Sequence, residues 1–448
     1  MTHIEIDNGL TLPLAGRPEP QVMDGPSTTR VALQPPDFRY LRPRLKVREG
    51  DSVKVGTVLM EDKDDTRIRF VSPGGGKVVQ IRYGERRKPL EIIIETDKDE
   101  KYEEFEKLTS EAARKLERAQ ISERLLAAGL WPMIRQRPFS RIAQPDVAPK
   151  TVFVNAMAED PFDVDPNAII AEQGDMLQLG IDLLGKLTDG GVHLCIGGGA
   201  SAKPLVNARN CEVHRFSGPY PVGSPAVQIY YVAPPQARET AWYVSAQNAV
   251  AIARFFTTGR YPIERIISVC GAAAKERFYF RSRVGASVDS LTQGKVEPGE
   301  LRHVSGGILT GRRIDKNGFI GYYDTVLYVI KEGGERELLS FVRPGFDKFS
   351  LSRTFMSSLV PGGSWALDTT LRGSIRNFVM NGIYEDLCPV DILPQYLAKS
   401  ILAGDIEETE KHGILDCAEC GLCTFVCPSK IEIGEIISRG LNALMKEG

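Results

Sequence analysis

The chain has 448 residues, 42% of them apolar and 25% charged, and 56 Lys and Arg against 58 Asp and Glu leave a formal charge of -2. At roughly 100 to 200 residues per domain, this length predicts three or four domains with substantial cores and excludes a disulfide-stapled mini-protein. The balanced charge argues against a polyanion-binding protein, so nucleic acid is not an expected partner.

Membrane and export signals are not found in the sequence. No window approaches the about 18 consecutive apolar residues of a membrane helix. Residues 1–7 (Met-Thr-His-Ile-Glu-Ile-Asp) lack the basic and apolar regions of a signal peptide. We therefore expect a cytoplasmic chain without a transmembrane helix, and any membrane role should be peripheral.

Residues 1–100 are rich in Gly and Pro and contain short alternating runs, which predict brief strands joined by tight turns. A V-x-x-G-D-x-V-x-x-G-x-x-L phrase begins at Val47, and a Ser-Pro-x-x-Gly turn follows at residues 72–76. Both are similar to the biotinyl/lipoyl carrier fold. Lys63 does not stand at the lipoyl attachment spacing, so we predict the carrier fold without the carrier function.

Residues 101–263 predict a helical lead-in followed by a Rossmann-like α/β domain. Strong helix formers fill residues 110–128, and a strand, a helix and a second strand follow within 151–196. This βαβ order indicates a parallel sheet. Strands at Val227–Val232 and Ile266–Cys270, with a helix between them, are expected to extend it.

The remaining chain divides into a compact α+β segment at 264–311, a β-rich segment at 312–379 and a helical region at 380–448. Residues 130–141, before the α/β domain, hold two Pro and three Arg between bulky apolar groups. Because Pro interrupts helices, we predict an ordered, packed loop there.

The strongest chemical signal is a run of cysteines near the C-terminus. The sequence Cys417-Ala-Glu-Cys420-Gly-Leu-Cys423-Thr-Phe-Val-Cys427-Pro is the C-x2-C-x2-C-x3-C-P pattern of bacterial ferredoxins, whose thiolates bind [4Fe–4S] clusters. In two-cluster ferredoxins the fourth Cys of a run serves the other cluster, and this chain has no second run. The fourth ligand is therefore either Cys427 or a remote thiolate, for which Cys388 is the best candidate.

Two alternatives to a cluster stay open. Zinc also binds four thiolates, although structural zinc sites usually place two Cys pairs farther apart in sequence. The cysteines could also be a relic that only packs as small buried side chains.

A Gly-rich turn and the histidines are weaker signals. Residues 197–202 match G-x-G-x-x-A, but Pro204 follows almost at once and no acidic residue stands about twenty positions later to bind a ribose. We interpret the segment as a strand-to-loop turn. The five His lack catalytic or zinc-protease spacing, and we expect structural roles for them: His3, His193, His214, His303 and His412.

Several phrases spread over nearly the whole chain resemble, in order, the A subunits of bacterial Na+-translocating NADH:quinone oxidoreductases (Na+-NQR). They are Gly9-Leu-Thr-Leu-Pro-Leu-Ala-Gly16, Gly129-Leu-Trp131, Arg137-Pro-Phe-Ser140, Ser217-Gly-Pro-Tyr-Pro221, Val284-Gly-Ala-Ser287 and Cys423-Thr-Phe-Val-Cys-Pro428. The family is similar in turn to the C subunit of the Rnf complex and to the flavoprotein subunit of complex I. The resemblance implies four parts: a carrier-like β domain, a Rossmann-like domain, a ubiquitin-like β-grasp (SLBB) domain and a C-terminal helical domain.

The resemblance also implies a function. The chain would be a peripheral subunit on the cytoplasmic face of the bacterial inner membrane, inactive alone, that contributes to ubiquinone reduction and to assembly of a six-subunit Na+ export complex. Its chief partner would be the B subunit, which lies in the membrane. Members of the family keep only the last two cysteines of the quartet, and the usual subunit is expected to carry no metal. The complete quartet here departs from that pattern.

Flavin and NADH are expected on partner subunits. In relatives that bind them, the segment corresponding to 129–140 is a glycine run whose backbone cradles phosphate, whereas bulky residues at 131–135 fill it here. A quinone needs an apolar slot with one or two donors, and the candidates come from the same segment or from Phe38–Pro43. The contact candidates in the segment are Trp131, Arg137, Phe139 and Arg141.

Packing against a membrane partner would explain these residues equally well. Two other functions stay open: a free-standing NADH-dependent iron–sulfur flavoprotein, which the bulky segment argues against, and a scaffold that touches neither quinone nor electrons.

Overall fold

In a computed structural model of the chain, the structure describes residues 1–448 except 237–238, 335–342, 347, 352–353, 360–362, 372, 380–381 and 448. The strands are β1 (Thr2–Glu5), β2 (Val22–Asp24), β3 (Arg30–Leu33), β4 (Pro43–Leu45), β5 (Ser52–Val53), β6 (Val58–Asp62), β7 (Arg69–Val71), β8 (Gly76–Tyr83), β9 (Pro89–Thr96), β10 (Arg135–Arg137), β11 (Arg141–Ile142), β12 (Thr151–Ala156), β13 (Val192–Gly197), β14 (Glu212–Ser217), β15 (Ala241–Ser245), β16 (Glu264–Cys270), β17 (Tyr279–Arg283), β18 (Leu301–Ser305), β19 (Arg312–Ile314) and β20 (Val326–Lys331).

The α-helices are α1 (Ser110–Arg114), α2 (Arg118–Ala127), α3 (Pro166–Ile170), α4 (Gly174–Gly185), α5 (Lys203–Val206), α6 (Pro225–Val232), α7 (Ala246–Thr258), α8 (Val288–Thr292), α9 (Ile383–Leu387), α10 (Pro394–Ala403), α11 (Ile406–Lys411), α12 (Leu422–Val426) and α13 (Ile433–Glu447). Among the residues that the structure describes, no helix combines the length and apolar character needed to cross a bilayer.

The N-terminal β domain consists of a four-stranded sheet, β3-β9-β8-β5, and a three-stranded sheet, β4-β6-β7. Their inward-facing residues are fully buried and share one core, as Val31, Leu59 and Ile92 show. Lys63 follows β6 in an exposed turn. Alternating apolar residues on short strands therefore give the small β domain that the sequence predicts.

The α/β domain has a seven-stranded sheet in the order β1-β14-β13-β12-β15-β10-β11. Its five strands from β1 to β15 are parallel. Even-numbered residues such as Val152 and Leu194 share a core with α4 and α7, while Phe153 and Cys195 pack on the opposite face with Val227 of α6. Helices therefore cover both faces, as a parallel sheet requires.

One predicted strand was wrong in this domain, and one strand was not predicted. Val227–Val232 is part of helix α6, because Ser224 and Pro225 provide a favourable N-cap and first helical position. Its residues Val227 and Ile229 are buried against the sheet, and the segment does not pair with it as a strand. The neighbour of β12 is β15, which the sequence analysis did not identify.

Ile266–Cys270 forms a strand, β16, but in a different sheet. The second sheet has the order β19-β18-β20-β16-β17-β2, and β16 lies between β20 and β17. This sheet runs to Lys331, so the domain boundary predicted at residue 311 falls inside it. Among the described residues of 332–379 no strand is found, contrary to the predicted β-rich segment, part of which lies outside the described residues.

The first strands join sheets of other domains. Strand β1 pairs with β14 of the α/β sheet, and β2 pairs with β17 of the second sheet. Residues 1–24 thus do not belong to the β domain alone, because both strands complete edges formed much later in the chain.

The segment 130–141 is more regular than the predicted loop. Residues Trp131–Met133 form a single 3-10 turn, and β10 and β11 extend the α/β sheet, with Arg135 opposite Tyr243 of β15. The predicted helix over 110–128 is likewise divided into α1 and α2, because Glu117 and Gln120 form a capping box that starts a new helix.

Candidate metal centre and adjoining cavity

Four cysteine side chains line one cavity of about 280 Å³ between α9, α12 and the loop before α12. They are Cys417, Cys420 and Cys423 of the C-terminal run and Cys388, which directly follows α9. Cys427 does not line this cavity. The remaining wall is largely apolar and includes Leu387, Ile392 and Leu422.

Cys427 has a different environment from the other four. Its side chain is fully buried in the core of the C-terminal helices. Its Sγ accepts hydrogen bonds from the Tyr384 hydroxyl at 3.1 Å and from the Ile431 backbone N–H at 3.3 Å. These contacts account for Cys427 as a packed, hydrogen-bonded residue outside the four-thiol cavity.

The cysteine loop is attached to the α/β domain by side chains from other parts of the chain. The Arg137 guanidinium donates to the carbonyl of Leu415 at 2.5 Å and to that of Cys417 at 3.0 Å. Tyr220 donates its hydroxyl hydrogen to the Cys420 carbonyl at 2.7 Å, and Arg39 pairs with both carboxylate oxygens of Glu419 at 2.8 Å. These bonds fix the position of the loop.

Gly421 allows the loop to turn into α12. It has φ of +77° and caps the helix, and a Cβ at this position would lie 2.7 Å from the carbonyl oxygen of Leu309. Only glycine fits both conditions without strain. The Gly between the second and third cysteines thus places Cys420 and Cys423 on the same cavity.

The protonation state of the thiols determines what metal binding at this cavity requires. Burial raises the pKa of Cys420 to about 11 and that of Cys388 to about 12, and it also raises the pKa of Cys417 and Cys423. At neutral pH the free thiols are therefore protonated. Only a bound cation can hold several thiolates together in this enclosed space, and its binding would release protons.

The spacing of the sulfurs bears on the choice between zinc and an iron–sulfur cluster. Tetrahedral zinc with Zn–S bonds of about 2.3 Å requires sulfurs about 3.8 Å apart. Within the described chain, no three cysteine sulfurs lie within 4.8 Å of one another. Four soft donors spread around a cavity fit a [4Fe–4S] cluster, in which each thiolate binds a different iron.

A second cavity, of about 290 Å³, adjoins the first. It lies at the carboxyl ends of β12 and β15, the usual ligand position in a parallel sheet. Its wall also includes residues of the second sheet's loops, such as Tyr323 and Asp324. Both cavities share Arg39, Glu419 and Cys420 in their walls, so a ligand here would lie next to the thiols.

The second cavity is polar and holds both signs of charge. The Arg135 guanidinium lies over the rings of Tyr243 and Tyr323, at 4.7 and 4.4 Å from their centroids. Besides Glu419, four carboxyl groups line it, and withdrawal from water raises the pKa of each of these four, that of Asp160 to about 7. They are Glu159, Asp160, Asp163 and Asp324.

The sequence analysis did not identify these carboxyl groups. The acidic residues of 159–163 follow directly after β12, and the end of a buried parallel strand is a signal for such a site. Asp324 could not have been grouped with them, because it comes from a distant part of the chain.

The predicted quinone-contact residues occupy different environments. Trp131 is fully buried, donates its indole N–H to the Ala143 carbonyl and packs edge-to-face on Trp242, which leaves no surface for a ligand. Arg137 lines the second cavity. Phe139 packs against Tyr40.

Arg141 lies apart from both cavities, with its guanidinium 3.9 Å from the Met445 sulfur. In the other predicted segment, Phe38 is buried against Phe70 and Tyr322, while the neighbouring Arg39 lines both cavities. Of the predicted contacts, Arg137 and Arg39 thus lie in the wall of the second cavity.

The Gly-rich turn at 197–202 lines neither of the two cavities. The Asn167 side-chain oxygen accepts from the backbone N–H groups of Ser201 and Ala202, and the helix that follows, α5, has only four residues. The backbone N–H groups at the end of the Gly-rich turn thus donate to a protein side chain, which agrees with the interpretation of 197–202 as a strand-to-loop turn.

Comparison with known families supports the division of the chain into a β domain, an α/β domain, a second-sheet domain and a C-terminal cysteine region. Residues 4–97 match the NqrA N-terminal barrel-sandwich hybrid domain, 116–261 the NqrA second alpha/beta domain, and 266–316 the NQRA C-terminal domain. Residues 385–432, which include all five cysteines discussed above, match a 4Fe-4S dicluster domain. These matches define a multidomain subunit of an oxidoreductase with a ferredoxin-type cysteine module.

Curated relatives show which family this is. The chain is 37% identical to the A subunit of the Na(+)-translocating NADH-quinone reductase of Neisseria meningitidis serogroup B over 448 residues, covering 99% of this chain and 100% of the relative. The corresponding subunit of Serratia proteamaculans is 37% identical over 450 residues, with the same coverage. The chain belongs to the NqrA family, the A subunits of the Na+-translocating NADH-quinone reductases.

Among solved structures, an NAD+-reducing [NiFe]-hydrogenase in the air-oxidized state matches with a TM-score of 0.34 at 10% identity, covering 50% of this chain and 47% of the hydrogenase chain.

Proposed function

We propose that this chain is the peripheral A subunit of a Na+-translocating NADH:ubiquinone reductase and carries electrons through one [4Fe–4S] cluster. The ligands are Cys388, Cys417, Cys420 and Cys423. The observation that supports this most is the single cavity lined by these four side chains, from which Cys427 is separated.

The choice of Cys388 follows from how ferredoxin runs share their cysteines. In two-cluster ferredoxins the Cys before Pro serves the cluster of the other run. Cys388 precedes Pro389 and lies beside the first three cysteines of the run, whereas Cys427, also before Pro, points into the core. The arrangement is that of a two-cluster module that retains one cluster.

The cluster supplies one-electron transfer. The chain's own residues hold the thiolates, exclude water and direct hydrogen bonds at sulfur. The Glu419 backbone N–H lies 3.4 Å from the Cys417 sulfur and donates to it. Such bonds and the apolar wall adjust the reduction potential of a cluster.

The adjoining cavity is the proposed site for the ubiquinone ring. Arg135, Arg137 and Tyr243 offer donors for the quinone carbonyls. Quinone reduction consumes two protons for every two electrons, and Asp160, with a pKa of about 7, can hold and release one near neutral pH. Cys420 in the shared wall brings the electron carrier and the proton donors together.

Other roles are proposed from the family. Flavin and NADH belong to partner subunits, because bulky residues at 131–135 occupy the place of a phosphate-cradling glycine run. The chain docks on the cytoplasmic face of the bacterial inner membrane, chiefly on the B subunit of the six-subunit complex, and takes part in respiratory electron transfer coupled to Na+ export.

Iron analysis tests the cluster. The chain is purified without exposure to air, iron and acid-labile sulfide are assayed, and EPR spectra are recorded after reduction. About four irons per chain, lost in Cys420→Ser, are expected. Iron-free protein from strictly anaerobic material would leave the cysteines as a relic and would contradict the proposal.

Ligand binding tests the second cavity. In the assembled complex, Tyr243→Phe removes one cavity hydroxyl and should weaken binding of a short-chain ubiquinone by about tenfold, the effect of one lost hydrogen bond. Tyr83→Phe, at an exposed position of the β domain, is the matched control. Equal affinities of both variants and wild type would place the quinone elsewhere. Flavin and NADH binding by the isolated chain would favour the free-standing flavoprotein.

A further inference from the structure

A second group of metal-ligand side chains lies at the opposite edge of the α/β sheet from the two cavities. His193 stands near the start of β13, and Glu212 and His214 stand at the start of the adjacent parallel strand β14. His193 pairs with Glu212 in the strand register, and His214 is two residues farther along. Because strand side chains alternate, all three point to the same face.

The three ligand atoms lie within 3.8 Å of one another. His193 Nδ1 and His214 Nε2 are 3.0 Å apart, and one oxygen of Glu212 lies 3.7 Å from the first and 3.8 Å from the second. The point equidistant from these atoms is about 2.05 Å from each. Zinc binds imidazole nitrogen at about 2.0 to 2.1 Å and carboxylate oxygen at about 2.0 to 2.2 Å.

Burial and charge fit a cation at this point. His193 and His214 are 7% and 5% exposed, whereas the Glu212 side chain is 72% exposed, so the site opens to solvent on the carboxylate side. The Phe153 ring, 4.9 Å from the His193 ring, closes the inner side.

A hydrogen bond between the two imidazoles is the simplest alternative. It would account for the 3.0 Å distance, and the register that pairs His193 with Glu212 brings the carboxylate within 3.8 Å of both nitrogens. The metal titration described below decides between the two. A cation between the three groups accounts for all three distances together.

We propose that His193, Glu212 and His214 bind a divalent transition metal of the zinc class, with a fourth position open to water. The site joins β13 to β14 near the amino ends of the strands, away from the cysteines and the cavity at the carboxyl ends. Its role is structural, because the metal cross-links two strands of the sheet that carries the cavity. Imidazole and carboxylate donors suit zinc, nickel or cobalt.

Metal titration of the full chain, purified anaerobically with its cysteine site intact, tests the proposal. Zn2+ should bind at one site in the wild type and raise the melting temperature, and Co2+ should give visible ligand-field bands without thiolate charge transfer. Glu212→Gln should weaken Zn2+ binding by about tenfold or more. His214→Gln should abolish it.

The control is His3→Gln, which replaces an exposed histidine on the neighbouring strand β1 and should bind Zn2+ like the wild type. Since Glu212 is exposed, its replacement leaves the fold intact even where the His214 variant does not fold. Failure of the wild type to bind Zn2+, thiolate charge transfer in the cobalt spectrum, or equal affinity in Glu212→Gln and His3→Gln would overturn the proposal.

Discussion

Replacing Arg137 by Met should release the cysteine loop from the α/β domain. The guanidinium is almost completely buried, with 6% of the side chain exposed, and it donates to the carbonyls of Leu415 and Cys417. Hydrogen bonds from a charged donor contribute about 1.5 to 3 kcal/mol each. Two of them give about 3 to 6 kcal/mol for holding the loop, since Met restores packing but donates nothing.

Hydrogen exchange of the full chain measures this effect. A loss of about 3 to 6 kcal/mol in local opening free energy accelerates amide exchange in residues 413–427 by about 100- to 20,000-fold. The iron content should fall in parallel. Arg141→Met is the matched control, because that guanidinium lies against the Met445 sulfur rather than the loop carbonyls. Unchanged exchange in Arg137→Met, or an equal effect of both variants, would refute the role assigned to Arg137.

Three further changes have expected outcomes. Gly180→Ala should lower the melting temperature, because a Cβ there would lie 2.4 Å from the Ala249 carbonyl oxygen where α4 meets α7, whereas Gly199→Ala, with open space around it, should not. Trp131→Ala should cost about 3 to 5 kcal/mol in thermal or urea unfolding as a buried aromatic truncation, and a smaller loss would show that the site relaxes.

The third change concerns pH. The folded-state pKa of Asp160, about 7, lies above its unfolded value of 3.8, so its contribution to stability is full below about pH 4 and falls as the pH rises through 7. Asp160→Asn should therefore gain stability relative to wild type by up to about 3 kcal/mol between pH 5 and pH 8. Parallel melting curves of both proteins across that range would contradict the assigned pKa.

Local patterns of residues predicted much of the fold. Alternating residues gave the β domain, and the β12-helix-β13 order gave the parallel sheet. Strand pairings between segments that are distant in sequence were not predicted. Strand β16 has the apolar composition of a buried strand, yet only its pairing with β17 and β20 decides which sheet it joins. The same holds for β1 and β2.

Other errors had local causes that were present in the sequence. The Val227–Val232 run is rich in β-branched and aromatic residues, but Ser224 and Pro225 before it mark a helix start. The aromatic and β-branched residues of Ala241–Ser245 are typical of a strand.

The candidate sites show the same division. The spacing of Cys417, Cys420 and Cys423 predicts a cluster from the sequence alone, and the Pro after Cys388 marks it as a candidate ligand. The choice between Cys388 and Cys427 needed the cavity, because burial of a side chain is a property of the folded chain. His193, Glu212 and His214 were likewise brought together only by the register of β13 and β14.

The iron content of two cysteine variants tests the central claim most directly. Cys388→Ser and Cys427→Ser are purified anaerobically beside the wild type, and iron, sulfide and the EPR spectrum of the reduced protein are compared. The account predicts that Cys388→Ser loses the cluster or alters its spectrum, while Cys427→Ser keeps about four irons and the wild-type signal. A cluster that is lost in Cys427→Ser and unchanged in Cys388→Ser would contradict it.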